Sequence, residues 1–325
     1  MKAIQIFEIG GPDQMKLVEL DLPEPGPGQV RLRIEAAGVN FIDTYFRAGI
    51  YPVPLPFTPG VEAAGVVDYL GEGAEGFALG DRVAWTGIPG TYASHCLAPV
   101  DRLVRIPDGL STEFAAATLL QGMTAHYLTH GVRDTRPGDV VLVHAAAGGT
   151  GGLLVQLLKQ AGARVIATCG TSDKAGLARE SGADDVILYT EEDFQSRTRE
   201  LTDGRGVDVV YDSVGQSTFE GSLGSLRPRG LLCLFGQASG VVPPFDLGRL
   251  NGAGSLFVTR PSLAHYVADR ESLELRSSFV FTALAKGTLT QRIGGRYALA
   301  DAAKAHSDLE GRGTVGKLLI VPNQN

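Results

Sequence analysis

The stretch HAAAGGTGG, residues 144–152, constrains this chain more than any other. It directly follows a short apolar run, DVVLVHA, that lacks polar alternation. It directly precedes LLVQLLKQAG, whose apolar residues recur at helical spacing and which ends at Gly162, a residue that favours a helix stop. Ala145, Gly148 and Gly151 stand three apart, a variant of the glycine-rich dinucleotide fingerprint. One small residue makes the tight strand-to-helix turn, another lets the backbone approach a pyrophosphate, and the last lets helix and strand pack closely. The N–H groups at the start of such a helix, with its positive dipole end, suit phosphate. Gly148, Gly149, Thr150 and Gly151 are therefore candidate cofactor contacts.

The flanking sequence supports that setting. ARVIATC, DDVILY, VDVVYDSVG and GLLCLFG read as further buried strands, and SDKAGLARESGA and DFQSRTRELTDG as helices between them. Strands alternating with helices of about 10–15 residues indicate βαβ units and a parallel sheet. From Met1 to about Gln121 the texture is different: short alternating runs such as VRLRIEAAGVN, AAGVVDYLGEG and TYASHCLAP, punctuated by glycine and proline, predict antiparallel strands. From about Ser262 one long helical segment is expected through SLAHYVADRESLELRSSFVFTALAKG. A strand, a short helix (DAAKAHSDLEG) and a last strand (TVGKLLIVP) follow it. That last strand has no evident partner in the βαβ region, so the C-terminal segment is expected to return and complete the N-terminal β domain. The division expected is 1–122 and 262–325 for a discontinuous β-rich domain and 123–261 for the dinucleotide domain.

Charge and composition narrow the class. With 29 Lys and Arg against 36 Asp and Glu, the net charge is −7, and no basic face advertises nucleic-acid binding. No apolar run reaches the roughly 18 residues of a membrane span, so membrane insertion is not expected. MKAIQIFEIGG lacks a secretory apolar stretch and VPNQN is no lipidation signal, which predicts a cytoplasmic protein. Cys96, Cys169 and Cys233 are sparse, odd in number and far apart, as in a reducing compartment; the latter two read as core residues.

The end of the second strand bears on the cofactor. An NAD site usually carries Asp or Glu there for the ribose hydroxyls. Here the residues are Cys169, Gly170, Thr171 and Ser172, with Asp173 read as a helix cap and Lys174 after it. Small neutral groups and a lysine suit the extra 2′-phosphate of NADPH.

Taken together, GVNFIDTYFRAGIYP, PGVEAAGVV, HAAAGGTGG, YDSVG and VTRPS resemble the quinone oxidoreductase (zeta-crystallin-like) branch of the medium-chain dehydrogenase/reductase superfamily. The resemblance spans essentially the whole chain. It implies an α/β fold in which a discontinuous GroES-like catalytic domain accompanies a Rossmann doubly wound parallel sheet. It also implies NADPH as cofactor, a homodimer through the Rossmann domain, and hydride transfer to a quinone or other conjugated carbonyl substrate. Zinc relatives place a Cys ligand where this chain has Asn40 and a Gly-His-Glu motif where it reads Gly60-Val61-Glu62, so no metal is expected. His126 and His130 stand i, i+4 but lack an H-E-x-x-H glutamate.

By the same motifs Asn40, Tyr45 and Tyr51 are the catalytic candidates, lining the cofactor and substrate site; Tyr45 and Tyr51 read alternatively as core aromatics. The resemblance carries over as cofactor contacts Thr124, Tyr189, Ser213, Phe235, Gly236, Gln237, Thr259, Arg260 and Lys317. For Arg260 a structural salt bridge is an equal reading, and Lys317 is expected in solvent near the phosphates. An enoyl or 2-alkenal reductase with the same fold and cofactor is the alternative. A non-catalytic NADPH-binding or RNA-binding protein is a further one, against which the acidic charge argues.

Overall fold

The strand Gln29–Val39 organises the first of two units. Along it Val30, Leu32, Ile34 and Ala36 are buried while Gln29, Arg31, Arg33 and Glu35 are half-buried, the period of two that a pleated strand imposes. In the computed structural model, which describes residues 1–322, this unit comprises Met1–Met123 and the chain from Val267 onward. Its seven-stranded sheet runs Ile293–Ala298, Lys317–Val321, Gln29–Val39, Glu62–Leu70, Arg82–Thr86, Val104–Arg105, with His95–Pro99 also paired to Gln29–Val39. Lys317–Val321 lies antiparallel to Gln29–Val39, with Leu319 opposite Gly38, so the C-terminal segment does complete this sheet. Ile4, Leu32, Ile34, Val83, Trp85, Leu318 and Ile320 fill one core. Each such aliphatic side chain contributes about 1.5–3 kcal/mol by leaving water.

The second unit, Thr124–Tyr266, is a six-stranded parallel sheet. Its order is Asp185–Leu188, Arg164–Cys169, Val140–Val143, Val207–Asp212, Leu226–Leu234, Phe257–Thr259. In chain order that is 3-2-1-4-5-6, the Rossmann arrangement, with its switch point beside the first strand. The fingerprint turn follows that strand.

Two details differ from the sequence reading. The long helix expected from residue 262 is broken: a short helix Leu263–Tyr266 precedes Arg270–Ala285, which starts afresh where the Asp269 carboxylate accepts from Ser272 N at 2.7 Å. Residues 262–266 accordingly join the second unit, where the Tyr266 ring stacks on Tyr127 at 4.3 Å and 9°, and Met123 joins the first.

Backbone proximity makes some glycines obligatory and leaves others replaceable. A Cβ on Gly65 would sit 2.1 Å from the Arg33 carbonyl oxygen of the paired strand, whereas one on Gly176, in the helix Ser172–Glu180, meets nothing within 4 Å. Gly65→Ala is expected to destabilise the protein by about 1–3 kcal/mol, and Gly176→Ala to stabilise it by about 0.5–1 kcal/mol, read from denaturant midpoints. Equal effects of the two substitutions would contradict this account.

Candidate functional site

In the second unit the fingerprint turn is built as its residue types require. Ala145 takes a positive φ of 52° and Gly148 caps the helix Gly149–Gln160. A Cβ on Gly151 would lie 2.3 Å from the Ala145 carbonyl oxygen and 2.9 Å from Ala146 Cα, so no side chain fits there. Gly152 N donates to Gly148 O, closing the first helical turn. The N–H groups of Gly149, Thr150 and Gly151 precede that bond and have no partner within the helix. Such N–H groups at a helix start have the geometry that suits an anion.

The next two strand ends converge beside it. Tyr189 N donates to Cys169 O at 3.2 Å, and the Tyr189 hydroxyl lies where a Cβ on Gly170 would be, 2.6 Å away. Thr171, rather than Asp173, caps the following helix: its Oγ1 accepts from Lys174 N at 3.3 Å, while Asp173 is exposed in the first turn. Gly170, Thr171, Ser172, Lys174 and Tyr189 therefore share one rim. Cys169 and Cys233 are buried in their strands.

Asp212 organises the third group of contacts. Its Oδ1 accepts from Val214 N (2.8 Å) and Gly215 N (3.0 Å), and its Oδ2 from Ser222 Oγ (2.8 Å) and Thr218 Oγ1 (2.7 Å). Ser222 Oγ is also 3.0 Å from His144 Nε2, whose ring is buried and held below the usual imidazole range by desolvation. This frame holds Ser213 against the neighbouring turn, where a Cβ on Gly236 would fall 2.4 Å from Ser213 O. Phe235 and Gly236 both donate their N–H to Asp212 O, so their carbonyls, not their N–H groups, are what they offer a ligand. Arg260 donates to Leu234 O (3.2 Å) and to Gln237 Oε1 (3.3 Å), next to Thr259 at the end of the outermost strand. Thr124 is buried in the helix Thr112–Tyr127.

In the first unit the structure gives two candidates other surroundings than the sequence suggested. Lys317 is not solvated: it is fully buried, and its Nζ donates to Asn40 Oδ1 at 2.7 Å and to Glu62 Oε2 at 2.5 Å. Its charge is spent on a carboxylate within the sheet, which argues against a phosphate contact. Asn40 is committed as well, its Nδ2 donating to Glu62 Oε2 at 2.9 Å and to Gly38 O at 3.3 Å. Glu62 Oε1 accepts from Leu120 N at 2.7 Å. Gly38 permits this approach, since a Cβ there would lie 2.3 Å from Glu62 Oε2 and 2.8 Å from Lys317 Cε.

Asn40 precedes the helix Phe41–Arg47, whose Tyr45 packs edge-on against Tyr51 at 5.8 Å. Phe46 also meets Tyr51 at 5.8 Å. Tyr45 is buried and Tyr51 half-buried, so Tyr45 has the surroundings of a core aromatic while part of Tyr51 stays accessible.

Five functional-type residues escaped the sequence reading: Asp43, Arg47, Tyr92, His306 and Glu310. Asp43 Oδ2 accepts from Asn40 N and from the Tyr92 hydroxyl, both at 2.9 Å. The same hydroxyl lies 3.1 Å from His306 Nε2; His306 Nδ1 lies 3.1 Å from Arg47 Nη1, and Arg47 Nη2 donates to Glu310 Oε1 at 2.7 Å. Only the acids within GVNFID and PGVEAAG, polar groups inside otherwise apolar runs, signalled any of this.

The comparisons with known proteins fit this geometry. Residues 26–108 match the profile described as alcohol dehydrogenase GroES-like domain, and residues 149–268 the one described as zinc-binding dehydrogenase. A quinone oxidoreductase of Pseudomonas aeruginosa is 44% identical, over 99% of each chain. The chain belongs to the quinone oxidoreductase branch of the medium-chain dehydrogenase/reductase superfamily. A 2-haloacrylate reductase from a Burkholderia species is also 44% identical, over 98% of each chain. The crystal structure of Escherichia coli quinone oxidoreductase complexed with NADPH superposes with a TM-score of 0.97 at 42% identity, covering 99% of this chain and 100% of the other.

One profile's description names zinc, and the residues here do not fit it. A catalytic zinc needs three N, S or O protein ligands. At the matching positions Val61 offers none, while Asn40 and Glu62 are closed on an ammonium. His126 and His130 lie ring to ring at 4.9 Å, yet no group of three or more His, Cys, Asp or Glu suited to a metal occurs among the described residues.

The buried network sets a pH dependence. Desolvation, with the adjacent Arg47, holds His306 down at about 3, against about 6.5 when unfolded. Below pH 6.5 the unfolded chain takes up a proton that the folded chain refuses, so this support is present above 6.5 and withdrawn as pH falls toward 3. Asp43 runs the other way: desolvation raises it to about 7, so its support is present below about 4 and lost as pH rises through 7. His306→Gln keeps an acceptor for Arg47 and a donor for Tyr92 without the titration. Between pH 6.5 and 4.5 the wild type is expected to lose about 2 kcal/mol more than this variant by urea unfolding. Parallel losses would show that His306 is not the titrating group.

Proposed function

We propose that the chain reduces quinones with NADPH, without zinc. The single observation that carries the cofactor reading is the rim at the end of the second Rossmann strand, where Gly170, Thr171 and Ser172 follow the strand, Lys174 adds a positive charge, and the first carboxylate, Asp173, comes only in the first turn of the helix. The family and the names of its relatives support the substrate class.

Bound NADPH supplies the hydride. The cradle of Gly148, Gly149, Thr150 and Gly151 would hold its pyrophosphate by backbone N–H groups. Thr171, Ser172 and Lys174 would take the 2′-phosphate, and the Tyr189 ring would cover the adenosine side. Ser213, Phe235, Gly236, Gln237, Thr259 and Arg260 serve the nicotinamide half. Tyr51 would offer a ring face and a hydroxyl to a planar acceptor, and Asn40 would share with its oxygen the N–H that makes the longer bond to Gly38 O. A quinone gains one hydride and one proton to become a hydroquinone, and water delivers that proton.

A 2-haloacrylate reductase of equal similarity favours a second reading, hydride addition to a C=C bond conjugated to a carbonyl. Steady-state rates with NADPH on quinones, enones and 2-haloacrylates side by side separate the two. Turnover is expected with quinones first, unaffected by chelators. No quinone turnover, or activity lost on chelation and restored by zinc, would sink the proposal.

Lys174→Ala is expected to raise KM for NADPH about tenfold or more and to leave NADH nearly unchanged, since a charge-assisted hydrogen bond is worth about 1.5–3 kcal/mol. Equal losses with both cofactors would refute the assignment.

We further propose a cytoplasmic homodimer. Free buried cysteines suit a reducing compartment, and no helix among the described residues is long and apolar enough to cross a membrane. The strand Phe257–Thr259 is the edge of the Rossmann sheet, and its Phe257 (60% exposed) and Val258 (39%) present apolar surface. An exposed apolar edge is a template for pairing with a second copy. Light scattering is expected to give a dimer for the wild type and a monomer for Phe257→Glu; a wild-type monomer at micromolar concentration would overturn this.

A further inference from the structure

We infer that Lys317 is a positioning residue of the reduction, acting by fixing which way the Asn40 side-chain amide points. The inference rests on the quinone-reductase reading for its activity arm only.

An asparagine amide has two nearly isosteric ends, and its neighbours decide the orientation. Here the choice is forced. The Lys317 ammonium is a donor without acceptors, and the Glu62 carboxylate, when ionised, is an acceptor without donors. Oδ1 therefore faces Lys317 Nζ at 2.7 Å and Nδ2 faces Glu62 Oε2 at 2.9 Å. The flipped amide would set N–H against ammonium and oxygen against carboxylate, two repulsions at buried sites. Asn40 has one further N–H, and its contact with Gly38 O is long, at 3.3 Å. That longer bond is the one an acceptor oxygen would share, and the ammonium helps to set its direction by holding the other end of the amide. The helix start contributes a capping box, in which the Asn40 N–H donates to Asp43 Oδ2 and the Asn40 side chain accepts from the Asp43 N–H; Lys317 adds to it a cation at the amide oxygen.

A purely structural reading is that Lys317 only neutralises Glu62. The two readings separate when both charges are removed. Lys317→Met leaves Glu62 buried and unpaired and is expected to lower both stability and kcat. The double variant Glu62→Gln/Lys317→Met holds no unpaired charge and is expected to regain much of the stability. Its quinone kcat should nevertheless remain about tenfold or more below wild type, with the Kd for NADPH, from fluorescence titration, within about threefold. Recovery of kcat together with stability would overturn the inference.

A second readout does not need turnover. The Asn40 side-chain amide protons, assigned by their loss in Asn40→Ala, are expected to be protected from solvent exchange in the wild type. In the double variant they should exchange about tenfold faster or more, because one anchor is gone. Unchanged exchange overturns the inference even if the wild type reduces no quinone, whereas failure of quinone turnover with faster exchange strikes only the functional reading.

Discussion

A carboxylate taken fully out of water costs several kcal/mol unless it is paired and hydrogen-bonded, and Glu62 has no exposed surface. Its partners come from different parts of the chain: the Lys317 ammonium from the last strand, the Asn40 amide from the start of the helix Phe41–Arg47, and the Leu120 N–H from the helix Thr112–Tyr127. The bond that brings the opposite charge, from Lys317, forms only once the chain, having left this unit after Met123, has returned to it at Val267 and reached its final strand. The discontinuity of the unit and the burial of this acid are thus one constraint. Gly38 belongs to it too, because any side chain there would displace the ion pair.

The Rossmann unit meets a similar problem with hydroxyls. Asp212 ends a strand and is buried, and four donors close on it, two from the turn that follows and two from Thr218 and Ser222. His144, at the end of the neighbouring strand, is wedged between Thr168 and Ser222 and stays neutral. These contacts stiffen the carboxyl ends of the central strands, where ligands bind in such sheets. The demand for rigidity explains why the adjoining turns are glycine-rich: Gly151, Gly215 and Gly236 each face backbone or side-chain atoms within 3 Å of where a Cβ would be. Pre-formed turns of this kind present N–H groups to a phosphate without a further ordering cost.

Period and turn chemistry made the architecture legible from sequence. Alternation over residues 29–36 gave the antiparallel sheet, unalternated apolar runs gave the parallel one, and the orphan last strand pointed back to the first unit. The fingerprint cradle was legible because its residue types are required by sterics at fixed spacing. The break near residue 268 was not, since apolar periodicity continues across it and only the Asp269 cap reveals a new start. Lys317 was misjudged for a related reason. A lysine close to the C-terminus is normally solvated, and its partner Glu62 lies 255 residues away, a pairing that no local pattern encodes. The chain from Asp43 to Glu310 was hidden likewise, because its members come from three distant segments.

The polarity of that chain limits what it can do. Arg47 has no acceptor, so it must donate to His306 Nδ1, which puts the imidazole proton on Nε2. Nε2–H then donates to the Tyr92 oxygen, and the Tyr92 hydroxyl to Asp43 Oδ2. Every hydrogen points from Arg47 toward Asp43, and Asn40 N points there from the other side. Oδ2 thus accepts twice, so when Asp43 carries a proton it is on Oδ1, which is buried and has no hydrogen-bond partner. A proton wire would have to reverse each bond in turn, and its Arg47 end is a guanidinium, which has no acceptor to take part in that reversal. The network therefore holds the helix Phe41–Arg47 in place and does not conduct. A proton taken up by a reduced acceptor does not come through this core.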